Sequence, residues 1–499
     1  MEIVLPSDRG KTMSTYERHH ELERKSPKRY ERYLRYQDID RELLTCNKAN
    51  NLMKYFTLEE LAKAYWSLKN KSAGVDGITK KVYRRYPYWV LNKNLRLEYD
   101  KVNDSQYRDE KRILKDNLIH LRDMVVTGTY RFKPTRRVYI PKPNGNGTRA
   151  LGIPAIEDKI IEVVINNILL EIYDPIVRKP ILLRNSYGFR EEMNAHMAIR
   201  ELYEGVMRDN LYGVINLDIT KYFDNIDRGI ILSFLGMSIS DKCLLNLIEA
   251  SLYRGYVEYG DTTIKDTVVG VAQGSILGPI LANIYRHYVI DSWFERNVKT
   301  CYQYSNAKCI TYADDVVILL PRSEMAKEFL ELLKRRLSDY NLEVSEEKTK
   351  VVDLMSSLPS KAKFRFLGFE ITKICNKEGH MDLDFKIDSK RLQEKEDKIV
   401  YTIKEGIKKY LEGPLKEGKP IHLNLINNAV SKVLVGYYNY YGCDTNIEWL
   451  DHIYNFAIDK MATLVYWDFV RNIDKKQWEK IIILSKPKKK RIFSFKCEN

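Results

Sequence analysis

The sequence contains no apolar run of about 18 residues, which is the length that a membrane-spanning helix needs. Its first twenty residues, MEIVLPSDRGKTMSTYERHH, lack the apolar core of a secretory signal. The seven cysteines are scattered through 499 residues and form no Cys-x-x-Cys pair. These absences disfavour a membrane protein, a disulfide-stapled secreted domain and a zinc finger, and they predict reduced thiols in a cytoplasm.

Acidic residues are in deficit. The chain has 83 Lys and Arg against 68 Asp and Glu, a net charge of +15. This excess predicts a polyanionic partner, and nucleic acid or an anionic membrane surface would both fit. Without a membrane segment, nucleic acid is favoured. Residues 471–499 alone carry ten basic and three acidic residues, and we expect a phosphate-binding tail there, formed by Lys488, Lys489, Lys490 and Arg491.

Two adjacent carboxylates, Asp314 and Asp315, interrupt the apolar run from Ile310 to Leu320. This pattern predicts a β-hairpin whose tight turn carries the acids between buried strands. Buried carboxylates need partners or a hard cation such as Mg²⁺, although an ordinary Asp-rich turn remains the alternative. A second apolar strand runs into Asp218. Since a two-metal site needs carboxylates from separate strands, the three aspartates together predict one.

The segments LDITKYFDNI, AQGSILGPILANIY and YADD follow one another in this order. They resemble motifs A, B and C of bacterial reverse transcriptases of the group II intron-like lineage. The same resemblance extends over roughly residues 70 to 470, through the segments SAGVDGIT, RRVYIPKPNGNGTRALGIPAIEDKIIE, NSYGFRE, LEVSEEKTKVVD, FRFLGF and GYYNYYG.

The resemblance implies an α+β fold, the right-hand polymerase with fingers, a palm built on a small antiparallel sheet, and a helical thumb. We expect a charged helical N-terminal extension at 1–70, fingers with part of the palm at 71–210, the palm at 211–370, the thumb at 371–470 and a basic tail at 471–499.

Three helices are expected from local patterns. The charged run from Glu21 to Arg41 predicts a solvated helix with i,i+4 charge pairs, and an arm that contacts RNA or another subunit is the alternative. Ile153 to Pro175 has the pattern of a long amphipathic helix that ends before proline. Ile276 to Tyr288 predicts an apolar helix.

The implied activity is RNA-directed DNA synthesis by two Mg²⁺ ions, with Mn²⁺ as an alternative. Asp218, Asp314 and Asp315 are the implied catalytic residues, and Ile219 joins them as a metal ligand. The implied partners are an RNA template, dNTPs and the DNA product, with no membrane, in the cytoplasm of a bacterium. A homo-oligomer is left open.

The family pattern also implies residues that contact nucleotide. Lys142 and Arg149 lie in a basic hairpin that would hold the triphosphate, although the hairpin could be basic and merely solvated. Phe223 matches the steric gate that rejects a 2′-hydroxyl, or it is a core aromatic. Gln273 is expected to contact the nucleotide or template. Lys348 matches a lysine that protonates pyrophosphate, or it forms a surface salt bridge. Nucleic-acid contacts are expected from Arg136, Arg137 and Gly274.

The biological role is inferred from positions at which the sequence departs from the family pattern. The family usually has proline in place of Ala272, Ser-Pro in place of Gly278-Pro279, and often arginine in place of Thr311. A zinc-supported endonuclease is not recognisable in the sequence. Together with the extra N-terminal extension at 1–70, these features favour a defence-associated reverse transcriptase that works with a cognate noncoding RNA over an intron-encoded reverse transcriptase and maturase. An RNA polymerase, which Phe223 argues against, and a non-catalytic RNA-binding scaffold are the alternatives.

Overall fold

The computed structural model describes most of the chain, namely residues 21, 23–69, 72–91, 109–141, 147–258, 260–261, 263–266, 269–358, 362–375, 380–411, 423–442 and 446–469. Lys142, Lys488, Lys489, Lys490 and Arg491 lie outside these ranges. No helix within the ranges is both long enough and apolar enough to cross a lipid bilayer. The mixed helices and sheets confirm the predicted α+β class, whereas the domain boundaries remain predictions.

The described residues before β3 include seven α-helices and one β-hairpin. Capping side chains begin several of these helices; Thr57, for example, accepts a hydrogen bond from the Glu60 nitrogen at 3.2 Å. The elements are α1 (Pro27–Cys46), α2 (Leu58–Ser67), α3 (Lys80–Arg85), α4 (Tyr88–Leu91), α5 (Glu110–Val126), β1 (Thr135–Pro141), β2 (Thr148–Ile153), α6 (Ile156–Tyr173) and α7 (Ala195–Met207).

Helix α1 is docked on the core, so the expectation of a solvated helix is wrong. Tyr36 and Ile39 are fully buried. Arg32 pairs with Glu171 of α6 at 3.4 Å and with Glu191 at 2.7 Å. The charged residues that suggested a solvated helix include arginines whose partners lie far along the chain.

Helix α6 is buried on nearly all sides, so it is not the amphipathic helix that its pattern predicted. Fourteen of its residues are buried. They include acidic groups that pair internally: Glu162 contacts Arg254 at 2.6 Å, and Asp158 accepts a hydrogen bond from the Tyr130 hydroxyl at 2.6 Å. These partners allow the helix to carry acids into the core.

The central part of the chain contains a four-stranded antiparallel sheet in the order β5-β6-β3-β7. Its strands and the surrounding elements are β3 (Gly213–Asp218), α8 (Tyr222–Asn225), α9 (Arg228–Ser238), α10 (Lys242–Leu252), β4 (Tyr256–Val257), α11 (Gly278–Arg286), β5 (Lys308–Tyr312), β6 (Asp315–Leu320), α12 (Ser323–Ser338) and β7 (Lys350–Asp353).

Both faces of this sheet are covered. Ile215 and Ile318 belong to one hydrophobic core, and their neighbours Val214, Val317 and Leu319 belong to a second. Since side chains alternate between the faces of a strand, a sheet covered on both faces needs continuous apolar strands. This explains why β6 is an unbroken hydrophobic run after Asp315, and why β3, which ends at Asp218, is interrupted only by Asn216.

The C-terminal part combines a second antiparallel sheet, in the order β10-β9-β8, with a helical bundle. Its tyrosines serve packing: Tyr441 is buried, and Tyr440 stacks on Phe369 and donates a hydrogen bond to the Leu367 carbonyl at 2.9 Å. The elements are β8 (Lys363–Phe366), β9 (Phe369–Cys375), β10 (Met381–Ile387), α13 (Ser389–Leu411), α14 (Leu423–Tyr441) and α15 (Ile447–Phe469).

Candidate active site

Three aspartates lie at one end of the central sheet. Asp218, the last residue of β3, is the register partner of Asp315, the first residue of β6. Asp314 occupies the two-residue turn between β5 and β6, beside Ala313. The structure therefore brings together all three acids that the sequence singled out, on two paired strands and the turn between β5 and β6.

The Asp315 carboxyl has an unusual proton affinity. Although the residue reaches solvent, the protein packed around the carboxyl displaces much of its water, and this raises its pKa. The charges of Asp314 and Asp218 raise the pKa further, Arg391 opposes them, and the result is a pKa of about 7. Like charges that crowd in this way raise the affinity of the carboxyl for a proton, and a cation held by the three acids would oppose this effect.

The chemistry of this donor set fits a hard divalent cation, which prefers carboxylate and carbonyl oxygens. In the described part of the chain, no three acidic, histidine or cysteine side chains are gathered tightly enough to enclose a metal ion already. Instead, Lys348 Nζ lies 3.4 Å from Asp218 Oδ1. The ammonium group neutralises one of the three carboxylates.

Ile219 was expected among the metal ligands. It forms an isolated antiparallel bridge with Val344. The hydrogen bonds of this bridge run from Ser345 to the Asp218 oxygen and from Thr220 to the Glu343 oxygen. They therefore do not use the Ile219 carbonyl, which is the oxygen that a metal would need.

A buried arginine supports the turn from behind, and the sequence analysis missed it. Arg286, at the end of α11, is fully buried. Its guanidinium donates hydrogen bonds to the Ala313 carbonyl and to the Ser186 hydroxyl. Ala313 has a φ of 57°, a left-handed conformation that costs a non-glycine residue about 1–2 kcal/mol. Arg286 therefore holds the strained residue that precedes the acid pair.

A local change in helix type places a carboxylate beside the Arg286 guanidinium. Residues His287–Asp291 continue α11 as a π-helix. In an α-helix, residues five apart differ by about 140° around the axis, whereas i→i+5 bonding stacks them. Asp291, fully buried, thereby faces Arg286, and its Oδ2 lies 3.4 Å from the arginine Nε. The π-helical turn thus gives a carboxylate partner to Arg286, which supports the turn that contains Asp314.

The segment 185–190 packs against the same turn. Ser186 forms a parallel bridge with Thr311 of β5. Gly188 approaches so closely that an added Cβ would overlap the Ala313 nitrogen. Asn283 of α11 donates a hydrogen bond to the Gly188 carbonyl at 2.8 Å. The acid turn is therefore enclosed by contacts from two other parts of the chain.

Residues 140–371, which include every acid of this site, match the family model described as reverse transcriptase (RNA-dependent DNA polymerase). This part of the chain is similar to reverse transcriptases. Among curated proteins it is similar to the group II intron-encoded protein LtrA of Lactococcus lactis subsp. cremoris, with 31% identity over 44% of this chain. It is also similar to Protein YkfC of Escherichia coli, with 29% identity over 52% of this chain and 72% of that protein.

The chain covers only 36% of the length of the lactococcal protein. A third relative, the putative COX1/OXI3 intron 1 protein of Saccharomyces cerevisiae, is 37% identical over 34% of this chain and 19% of its own length. Among solved structures, telomerase from Candida albicans in complex with a fragment of telomeric RNA matches 71% of this chain and 64% of its own, with 13% identity and a TM-score of 0.36.

The residues that the sequence predicted to contact nucleotide lie on different elements. Phe223, in α8, is half-buried, and its carbonyl accepts a hydrogen bond from Val271 at 2.9 Å. The Gln273 carbonyl accepts one from Gly152 of β2 at 2.7 Å. Gly274, with a φ of 102°, packs directly against the Gly152 carbonyl. The loop before α11 is therefore fixed to the basic hairpin by its backbone.

The three arginines of this hairpin differ in what they contact. Arg136 donates two hydrogen bonds to the Ala73 carbonyl, which is a structural use of its guanidinium. Arg137 lies over the ring of Tyr256 and 3.8 Å from Glu258. Arg149 is exposed on β2, opposite Ile140. Of the three, Arg149 has the exposure that a triphosphate contact needs.

Proposed function

We propose that this chain is an RNA-directed DNA polymerase that adds deoxynucleotides to a primer end by metal-dependent nucleotidyl transfer. The observation that carries the proposal is the pairing of Asp218 with Asp315 within the part of the chain that is similar to reverse transcriptases, with Asp314 in the adjoining turn. Carboxylates presented from two paired strands are the arrangement that a two-metal site requires.

The residues have distinct roles in this proposal. Two bound Mg²⁺ ions would lower the pKa of the primer hydroxyl and neutralise the triphosphate charge. Asp218, Asp314 and Asp315 supply the oxygens that hold these ions. Lys348, whose Nζ lies 3.4 Å from Asp218 Oδ1, would donate the proton to the leaving pyrophosphate. Arg286 keeps the Asp314 turn in place.

A basic groove in the helical bundle supports nucleic acid as the partner. The groove has a volume of about 910 Å³ and lies between α13 and α14. Lys395 lies 5.0 Å from the ring centre of Tyr437, and Arg391 is close enough to Asp315 to affect its pKa. Cations with aromatic rings bind phosphate backbone without reading sequence. The groove is lined by Arg391, Lys395, Lys398 and Lys432 against Glu394 and Asp397.

We further propose that the enzyme copies a cognate noncoding RNA in antiviral defence. The altered residues Ala272, Gly278 and Thr311 support this role over an intron-encoded one. The second candidate is a group II intron-encoded reverse transcriptase and maturase, which the names of the relatives favour.

The test is primer extension by purified protein with Mg²⁺ and its co-purifying RNA, using labelled dNTPs against labelled rNTPs. We expect dNTP incorporation that Asp314→Ala/Asp315→Ala abolishes. Asp353→Asn is the matched control, since Asp353 is paired with Gly213 at the opposite end of β3, and it should retain activity.

Sequencing the product identifies the template. A noncoding RNA copied into DNA supports the defence role, and copied intron RNA supports the second candidate. If neither wild type nor Asp353→Asn incorporates nucleotide, while both bind RNA tightly, the chain acts as an RNA-binding scaffold.

A further inference from the structure

Phe189 combines two features that rarely occur together. Its large apolar side chain is 52% exposed. Its φ is 57°, in the left-handed region that non-glycine residues seldom adopt. Such strained residues persist only where the surrounding structure fixes them, and they concentrate at functional sites. Phe189 lies in a turn, but neither the turn nor core packing requires a large apolar side chain that is half exposed at this position.

The residues on both sides of Phe189 are immobilised. Gly188 is pressed against the Ala313 backbone, and its carbonyl is held by Asn283. Arg190 is buried, and its guanidinium donates to Asp174 Oδ1 at 2.6 Å and to the Ser186 carbonyl at 2.8 Å. The backbone of Phe189 is therefore held against the turn that contains Asp314. The exposed ring projects from a fixed backbone.

The ring of Phe189 contacts the ring of Phe223. The two centroids are 6.4 Å apart and the planes meet at 81°, an edge-to-face pair. Tyr222 contacts Phe223 at 5.8 Å from another direction. A Cβ added at Gly278 would lie 4.0 Å from Phe223 Cε1. Phe223 is thus bounded by a tyrosine, the start of α11 and the Phe189 ring.

We propose that Phe189 is a positioning residue that fixes the Phe223 ring and thereby sets the discrimination between deoxyribonucleotides and ribonucleotides. The inference rests on the proposed function. A ring can exclude a 2′-hydroxyl only if it cannot rotate away from the added atom. Phe223 is half-buried, and Phe189 provides an edge-to-face contact that limits its rotation.

The experiment compares Phe189→Ala with wild type in kcat/KM for a dNTP and for the matching rNTP. Loss of an edge-to-face pair predicts a decrease of about three- to tenfold in the dNTP preference. Phe189→Tyr keeps an aromatic ring and should restore the preference. Tyr302→Ala is the control, because Tyr302 is 95% exposed and lies outside this cluster, and it should leave the preference unchanged.

A double-mutant cycle tests whether Phe189 acts through Phe223. Phe189→Ala/Phe223→Ala should have the same preference as Phe223→Ala alone, because the buttress has no effect without the ring that it supports. The proposal is overturned if Phe189→Ala slows both nucleotides equally. The proposal is also overturned if the two substitutions act independently, so that their separate fold-changes in dNTP preference multiply in the double variant.

Equilibrium binding of dATP and ATP in Ca²⁺ separates this inference from the proposed polymerase function, because it needs no turnover. If wild type incorporates nothing but Phe189→Ala shifts the binding preference, the polymerase proposal fails and the role of Phe189 stands. If incorporation occurs and neither preference moves, the role of Phe189 fails alone.

Discussion

Replacing Arg286 with leucine tests how the structure supports its catalytic turn. Arg286 and Asp291 are both fully buried, and Arg286 Nε lies 3.4 Å from Asp291 Oδ2. Removing one partner of a buried ion pair leaves an uncompensated charge, which costs about 3–5 kcal/mol. A domain is usually stable by about 5–15 kcal/mol. We therefore expect Arg286→Leu to lose a large part of the free energy of unfolding, measured by urea denaturation.

The double variant Arg286→Leu/Asp291→Leu separates stability from catalysis. Replacing both charges with apolar side chains is often nearly neutral, so most of the stability should return. Activity should not return, because the Ala313 carbonyl and the Ser186 hydroxyl still lack the guanidinium that donates to them. Primer extension is measured per folded molecule. Wild-type turnover in the double variant would refute the reasoning and reduce Arg286 to a structural ion pair.

Arg178→Leu is the matched control for this pair. Arg178 donates to Asp40 at 3.0 Å and to the carbonyls of Glu171 and Ile172, at the end of α6. It contacts none of the catalytic strands in these bonds. We expect Arg178→Leu to lower stability while the folded molecules extend primers at the wild-type rate.

Two further predictions follow from raised pKa values. With its pKa of about 7, Asp315 takes up a proton as the pH falls through 7, so activity at low Mg²⁺ should fall there and excess Mg²⁺ should move the midpoint downward; a midpoint that ignores Mg²⁺ argues against metal binding. Burial raises the pKa of Asp158 from 3.8 to about 7, so the folded state favours its neutral form. The contribution of Asp158 to stability is therefore present at low pH and is lost as the pH rises from about 4 to 7. Relative to Asp158→Asn, urea denaturation should show wild type losing about 1.4 kcal/mol per pH unit in this window, and a constant difference would contradict it.

The three acids could be predicted because their signal is local. Asp314 and Asp315 follow from a strand, turn and strand pattern, and Asp218 follows from a strand end. Their meeting was expected from the resemblance, and the register of β3 with β6 provides it.

Other features have no local signal. Arg286 is a single cation in a helix that reads as apolar, and its counter-ion faces it only because of a π-turn. The positive φ of Phe189 arises from contacts with distant residues. Helix α1 did carry a signal: Tyr36, Ile39 and Leu43 form an apolar stripe at helical spacing. Charged residues between them hid this stripe.

The docking of α1 has a consequence for synthesis of the chain. Arg29 and Arg32 pair with residues that lie 139 to 163 positions later in the sequence. At a translation rate of about 5–20 residues per second, the helix emerges roughly 7 to 30 s before its partners. During that interval α1 can pack on residues such as Tyr55 and Glu60, which contact Tyr36, but not on α6. Helix α1 thus completes its packing late, and part of its apolar stripe stays uncovered until α6 and the 185–192 segment have left the ribosome.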